Sequence, residues 1–235
     1  MNTHTTDILV IGGGPAGSTF ANLAARKGWQ ATLFEKDKHP RFHIGESLLP
    51  MTMPIIDRLD LRDELEAIGV RKHGADFTSF RAGAYSHTYP FSRALGNSPD
   101  HAFQVRRSEF DQMLFEGCKR AGVSAHEEMT VTKVEPLESG DHRVTVVDAG
   151  GQQSIWLSKF LVDASGRDTF LSGKRGWKHR NPKHASAAVF SHFRGARRRA
   201  GEREGDISIY WFEHGWVWMI PLRDDVTSIG AVCDP

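Results

Sequence analysis

"DILVIGGGPAGSTFANLAARKGWQATLFEK", residues 7–36, decides how this chain begins to fold. Ile8-Leu9-Val10-Ile11 is an unbroken apolar run, the pattern of a strand buried on both faces of a parallel sheet. It leads directly into Gly12-Gly13-Gly14-Pro15-Ala16-Gly17, a G-x-G-x-x-G element. In that pattern Gly12 permits the tight turn, Gly14 lets a pyrophosphate approach the backbone, and Gly17 lets the following helix pack closely on the strand. The spacing predicts a helix from Pro15 to Lys27, with Ala16, Phe20, Leu23 and Ala24 on its apolar face and Gly28 closing it. Its free N–H groups and positive dipole end suit a pyrophosphate. A second strand, "QATLFEK", ends in Glu35, placed to hydrogen-bond a ribose hydroxyl. Strand, glycine turn, helix and acid together predict a dinucleotide site.

The rest of the composition narrows the class. The chain has 235 residues, 39% apolar and 25% charged, as in ordinary globular proteins. A net charge of +1 provides no global field for nucleic acid or an anionic membrane. The two cysteines, Cys118 and Cys233, have no metal or redox spacing and fit a reducing, cytoplasmic setting. The amino terminus lacks a basic region, and its apolar run is too short for a signal peptide or a membrane span. Twelve histidines, among them His39, His43, His73, His179 and His184, show no partner spacing for a metal, so none is expected.

The glycine signature alone leaves FAD and NAD(P) open. "HPRFHIGESLLP", residues 39–50, begins to separate them: it is a loop punctuated by Pro40, Gly45 and Pro50 that carries Arg41, Glu46 and Ser47. A bound flavin needs a loop that runs on from the pyrophosphate along the ring system. Further on, residues 103–123 read as a strand end and an amphipathic helix with Phe110, Met113, Leu114 and Cys118 inward. Residues 129–163 alternate as an antiparallel meander followed by a return strand. In "GWVWMIP", residues 215–221, Trp216 and Trp218 share one strand face before Pro221 stops the strand. That pair is either a core strand or a wall around something reactive. "RGARRRAGERE", residues 194–204, reads as a solvated hairpin or loop tip, with docking of a phosphorylated or acidic partner as the sharper alternative.

Taken together, "GGGPAGSTFANLAARKG", "RFHIGESLLP" and "GWVWMIP" resemble the flavin-dependent halogenases of the para-hydroxybenzoate-hydroxylase-like FAD family. The last matches their W-x-W-x-I-P motif at Trp216, Trp218, Ile220 and Pro221, and the branch is the one acting on phenol- or pyrrole-like substrates rather than free tryptophan. The resemblance implies an α/β fold: a Rossmann-like FAD-binding domain of the ββα glutathione-reductase type over 1–73 and 101–172. An interleaved antiparallel-sheet substrate domain would cover 74–100 and 173–235. It implies FAD contacts from Gly12, Gly14, Pro15, Ala16, Gly17, Glu35, Arg41, Gly45, Glu46, Ser47 and Arg107, with the Val131 backbone at the adenine. "LVDASGRDTFL" resembles a family element that puts Asp163, Ala164 and Gly166 near the pyrophosphate. For Arg107 the residues leave open a surface salt bridge to Glu109 or Asp111.

The same resemblance implies a function. Reduced FAD (FADH2) from a separate flavin reductase would form a C4a-hydroperoxide, and chloride or bromide as co-substrate would be oxidised to hypohalous acid. Lys72, before His73-Gly74, matches the essential lysine that delivers it to a small electron-rich aromatic or heteroaromatic substrate, in some relatives carrier-protein-tethered. A solvated lysine at a helix end is the plain alternative. Trp216 and Trp218 would partition substrate from flavin. An aromatic monooxygenase, a geranylgeranyl-reductase-like enzyme and an inactive FAD-binding fragment are the competing readings. The family's second flavin motif, a Gly-Asp pair opening a helix, does not occur in these 235 residues. The expectation is a C-terminally truncated chain with weak FAD binding and no turnover.

Overall fold

The fold was obtained as a computed structural model describing residues 3–80, 84–179, 181 and 186–233. His184 and parts of the expected substrate-domain ranges lie outside the described residues. The first half of the chain contains β1 (Thr3–Ile11), α1 (Pro15–Arg26), β2 (Ala31–Phe34), α2 (Met53–Arg58), α3 (Arg62–Ile68), β3 (Val70–Lys72), β4 (Gly74–Ser79), β5 (Tyr85–Pro90) and β6 (Ala102–Gln104). Next come α4 (Arg107–Arg120), β7 (Ser124–His126), β8 (Met129–Pro136), β9 (His142–Asp148) and β10 (Gln153–Asp163). The remaining strands are β11 (Ala187–Arg194), β12 (Ile207–Phe212), β13 (Gly215–Pro221) and β14 (Val226–Cys233).

Two compact units result, one of residues 1–43 and 108–179, the other of 44–107 and 180–235. This packing division differs from the functional one read from the sequence, because residues 44–73 and 101–107 pack with the second unit.

The first unit is built on a six-stranded sheet in the order β7-β2-β1-β10-β9-β8. The strands from β7 to β10 are parallel, and β9 and β8 add the antiparallel meander. Ile8 and Val10 face one layer with Ala21, Ala24, Leu33, Phe115 and Cys118; Leu9 and Ile11 face the other with Phe34, Val131, Val144 and Val146. Burial on both faces explains the unbroken apolar run of β1. The expected inner face of α1 needs correction: Phe20 is 42% exposed and Ala16 is also exposed. Gly17, Ser18, Ala21, Asn22 and Ala24 are buried instead. A Cβ on Gly17 would lie 1.9 Å from the Gly12 carbonyl oxygen, so this helix meets its sheet through small residues and sends the bulky ring outward.

The second unit holds a six-stranded sheet in the order β11-β14-β13-β12-β4-β5 and the two-stranded β3-β6 pair. Its apolar centre is Ile207, Trp218, Ile220, Leu222 and Val226. The arginine run of 194–204 also needs correction, for much of it is tied down across this sheet. Arg198 donates to the carbonyls of Leu222 and Val226 at 2.7 and 2.6 Å. Arg199 and Arg203 both pair with Asp76, which is fully buried. A buried carboxylate demands such partners, and local charge patterning does not reveal it.

Candidate active site

Residues expected at the pyrophosphate and ribose gather in the first unit. Gly12 has φ +102°, and a Cβ there would sit 2.5 Å from the Ala164 carbonyl oxygen. At Gly14 a Cβ would meet nothing closer than Arg41 Nη2 at 3.6 Å, so the backbone is open on that side. α1 starts at Pro15 with Gly14 as its N-cap and no side-chain cap, leaving its first-turn donors available to an anion. Ala16 follows Pro15 in that first turn and is exposed. This is a cradle shaped for a phosphate.

Glu35 follows β2 directly and is 4% exposed. It accepts from the backbone N–H of Gly13 at 2.7 Å and of Asp37 at 2.9 Å, and from Arg41 Nη2 at 3.2 Å. Burial alone would push its pKa up, but those amides and the Arg41 guanidinium hold it below the usual carboxylate range. Arg41 also pairs with Asp111 at 3.1 Å. Asp111, which the sequence offered as a surface partner of Arg107, is fully buried on α4. Only the fold shows that link, because 70 residues separate the two.

A 290 Å³ cavity adjoins this corner, lined by Gly12, Phe34, Glu35, Val131, Ser165 and Phe170 among others. Asp163 organises the turn beside it: its carboxylate accepts from Ser165 N–H at 3.1 Å and Leu171 N–H at 2.8 Å. Ala164 N–H donates to the Ile11 carbonyl, and Gly166 takes φ +63°. Asp168 and Phe170 also line the cavity, and the sequence reading gave neither a role.

The second unit gathers the others. Ser47 bridges to Gln104, while Val105 N–H bonds the Glu46 carbonyl and Leu48 N–H bonds that of Phe103. The loop is thereby laid along β6 and its end. Arg107 Nη1 donates to the Ile44 carbonyl at 2.8 Å and would lie 2.8 Å from a Cβ on Gly45, whose φ of +116° itself favours glycine. Glu46 is 2% exposed and its Oε1 lies 2.7 Å from His192 Nε2. Among the described residues its Oε2 is buried without a hydrogen-bond partner, an acceptor of the kind a ligand hydroxyl would satisfy.

Lys72, at the end of β3, is 1% exposed. Its Nζ donates to Ser47 Oγ at 2.6 Å and lies 5.6 Å from the centre of the Phe91 ring. Burial lowers its pKa to about 8, and the Asp206 charge opposes that only in part. Asp206 is occupied by the backbone N–H groups of His73 and Gly74 at 2.9 and 2.8 Å. A solvated lysine at a helix end does not describe this residue. Sequence spacing gave no sign of Asp206 or His192 as neighbours, since Asp206, just before β12, and His192, on β11, lie far along the chain.

Trp216 and Trp218 do share a face, their ring centres 5.8 Å apart. Trp218 is 6% exposed, donates to Ser228 Oγ at 3.1 Å and covers Gly230, where a Cβ would lie 2.2 Å from the indole. Trp216 is half-buried beside it. Along the same sheet, a 410 Å³ aromatic recess is lined by Phe77, Ser79, Tyr85, His87, Tyr89 and Trp211. Among the described residues no cluster of three or more His, Cys, Asp or Glu is placed to hold a metal, and no helix is long and apolar enough to cross a membrane.

Comparison with known proteins gives a consistent result. Residues 5–228 match a family described as FAD binding domain. The 1H-pyrrole-2-carbonyl-[peptidyl-carrier protein] chlorinase of Pseudomonas fluorescens is 32% identical over 99% of this chain and 56% of its own length. The tryptophan 2-halogenase of Chondromyces crocatus is 35% identical over 97% of this chain and 43% of its own. The crystal structure of CmlS, a flavin-dependent halogenase, superimposes with a TM-score of 0.90 at 36% identity, over 98% of this chain and 42% of that one. The chain thus spans about half the length of the curated relatives it matches.

Proposed function

Since the chain belongs to the FAD-binding domain family and is related to flavin-dependent halogenases, we propose that it carries the flavin- and lysine-bearing part of such a halogenase. The observation that carries this reading is Lys72, an amine 1% exposed with a pKa of about 8, in a chain whose glycine cradle fits FAD. Bound and reduced, FAD supplies the oxygen activation that converts chloride or bromide into an electrophilic halogen.

In this proposal the Gly12–Gly17 turn and the start of α1 hold the pyrophosphate, with the Arg41 charge beside Gly14. Glu35 takes the ribose, while Val131 and the turn of Asp163, Ala164 and Gly166 border the adenosine end. Gly45, Glu46, Ser47 and Arg107 present the loop that follows the cofactor. The functional division is the one expected from the sequence: residues 1–73 and 101–172 serve the flavin, 74–100 and 173–235 the substrate.

Lys72 does the halogen chemistry. At pH 7 a pKa of about 8 leaves about a tenth of the amine neutral, with a lone pair to react. Attack on hypohalous acid forms the N–halogen bond, breaks the oxygen–halogen bond and releases water as the amine loses a proton. The ammonium form instead hydrogen-bonds the acid and aims it. Ser47 fixes Nζ in either state. An electron-rich arene, free or carrier-tethered, is the substrate, and the aromatic recess supports it by offering ring faces and edges for stacking. Trp216 and Trp218 keep that arene from the flavin, and a separate reductase supplies the reduced cofactor. Replacing Lys72 by alanine tests the role: FAD binding should persist while halogenated product disappears. Product formation at the parent rate would refute it.

A further inference from the structure

The arginine run that crosses the second sheet leaves the Arg197 guanidinium uncommitted among the described residues. A cavity of 550 Å³ lies between this run and the sheet face, lined by Arg197, Arg198, Arg199, Ser208, Tyr210 and Met219 among others. Arg198 is committed to two backbone carbonyls and Arg199 to Asp76. Arg203 pairs with Asp76 and Asp206, so both buried acids on this side are already neutralised. Arg197 is exposed and, among the described residues, has neither a hydrogen bond nor an ion pair. The hydroxyls of Ser208 and Tyr210, two residues apart on β12 and facing the same way, are also without a hydrogen-bond partner among the described residues.

We propose that this cavity is an anion-recognition site that takes a phosphate ester on a flexible organic arm, with Arg197, Ser208 and Tyr210 as its donors. A guanidinium and two hydroxyls match the oxygens of a phosphate ester. Met219 and Pro221 give the floor an apolar stretch along which an uncharged chain can lie. Arg198 and Arg199, held by their own partners, spend no donors on the ligand. The chemistry is that of the phosphopantetheine tether of a carrier protein. The choice of ligand rests on the carrier-tethered reading above, whereas the site itself does not depend on turnover.

The test is calorimetric titration of the protein, without flavin or halide, with 4′-phosphopantetheine, uncharged pantetheine and inorganic phosphate. Phosphopantetheine should bind most tightly. Arg197→Gln should weaken it by about ten- to hundredfold, the effect of losing a charge-assisted hydrogen bond, with partial recovery in Arg197→Lys. Arg197 is exposed, so these variants keep the fold. The proposal is overturned if no ligand saturates, if pantetheine binds as tightly as its phosphate ester, or if Arg197→Gln binds like the parent. Equal binding of inorganic phosphate and phosphopantetheine would also overturn it, because the arm would then contribute nothing. Loss of halogenation with binding intact would count against the proposed enzyme and leave this site standing.

Discussion

Replacing Lys72 by methionine should stabilise the protein at neutral pH and lose that advantage in alkali. The folded pKa of about 8 lies below the unfolded value near 10.5, so the folded state resists the charge. Below pH 8 both states are protonated and the full burial penalty is present. Between pH 8 and 10.5 the folded amine is neutral first, and the penalty shrinks with each pH unit. Above 10.5 it is gone. A displacement from 10.5 to about 8 corresponds to about 3 kcal/mol. Methionine keeps the length of the chain without the charge, but it leaves Ser47 Oγ without its 2.6 Å donor, a loss of about 1 kcal/mol. Lys72→Met should therefore be about 2 kcal/mol more stable than the parent at pH 7 and about 1 kcal/mol less stable above pH 10.5. Urea titrations followed by tryptophan fluorescence between pH 6 and 11 read this directly, because Trp211, Trp216 and Trp218 all report on the second unit. Parallel stability curves for parent and variant would refute the reasoning, as would a variant less stable at every pH.

Other outcomes follow from the same geometry. Gly14→Ala should fold like the parent, since its Cβ meets nothing within 3.6 Å, yet bind FAD at least about tenfold more weakly in a fluorescence titration. Gly17→Ala, with a Cβ 1.9 Å from a carbonyl, should instead cost about 1–3 kcal/mol of stability. Glu35→Gln should cost about 1–3 kcal/mol at pH 7 in denaturant titrations. The folded pKa of Glu35 is lowered from 4.5, so that difference persists above 4.5 and fades as pH falls through the folded value. Trp218→Ala, in the core, should cost about 3–5 kcal/mol, and Trp216→Ala, at its edge, clearly less. Flavin binding by the Trp216 variant should match the parent.

What the sequence discloses depends on how local the cause is. The glycine turn, α1 and the acid after β2 are legible because each glycine answers a backbone demand within a few residues. The buried face of α1 is not, because hydrophobicity points to Phe20 while close approach to the sheet requires Gly17 and Ala21. Lys72 enters the sequence reading only through resemblance. Its burial, its Ser47 partner and the Asp206 charge come from segments that are distant in sequence. The arginine run shows the same limit: its composition suggests solvent, and a single buried carboxylate, Asp76, draws two of its members inward.

The proposed function, halogenation with Lys72 carrying the halogen, can be checked on the product itself. Its most direct test is mass spectrometry of the products when the protein meets reduced FAD, oxygen, bromide or chloride, and an activated phenol or pyrrole. The arene should carry halogen isotope doublets, absent with Lys72→Ala. A hydroxylated arene without halogen, or halogenation indifferent to Lys72, would contradict it.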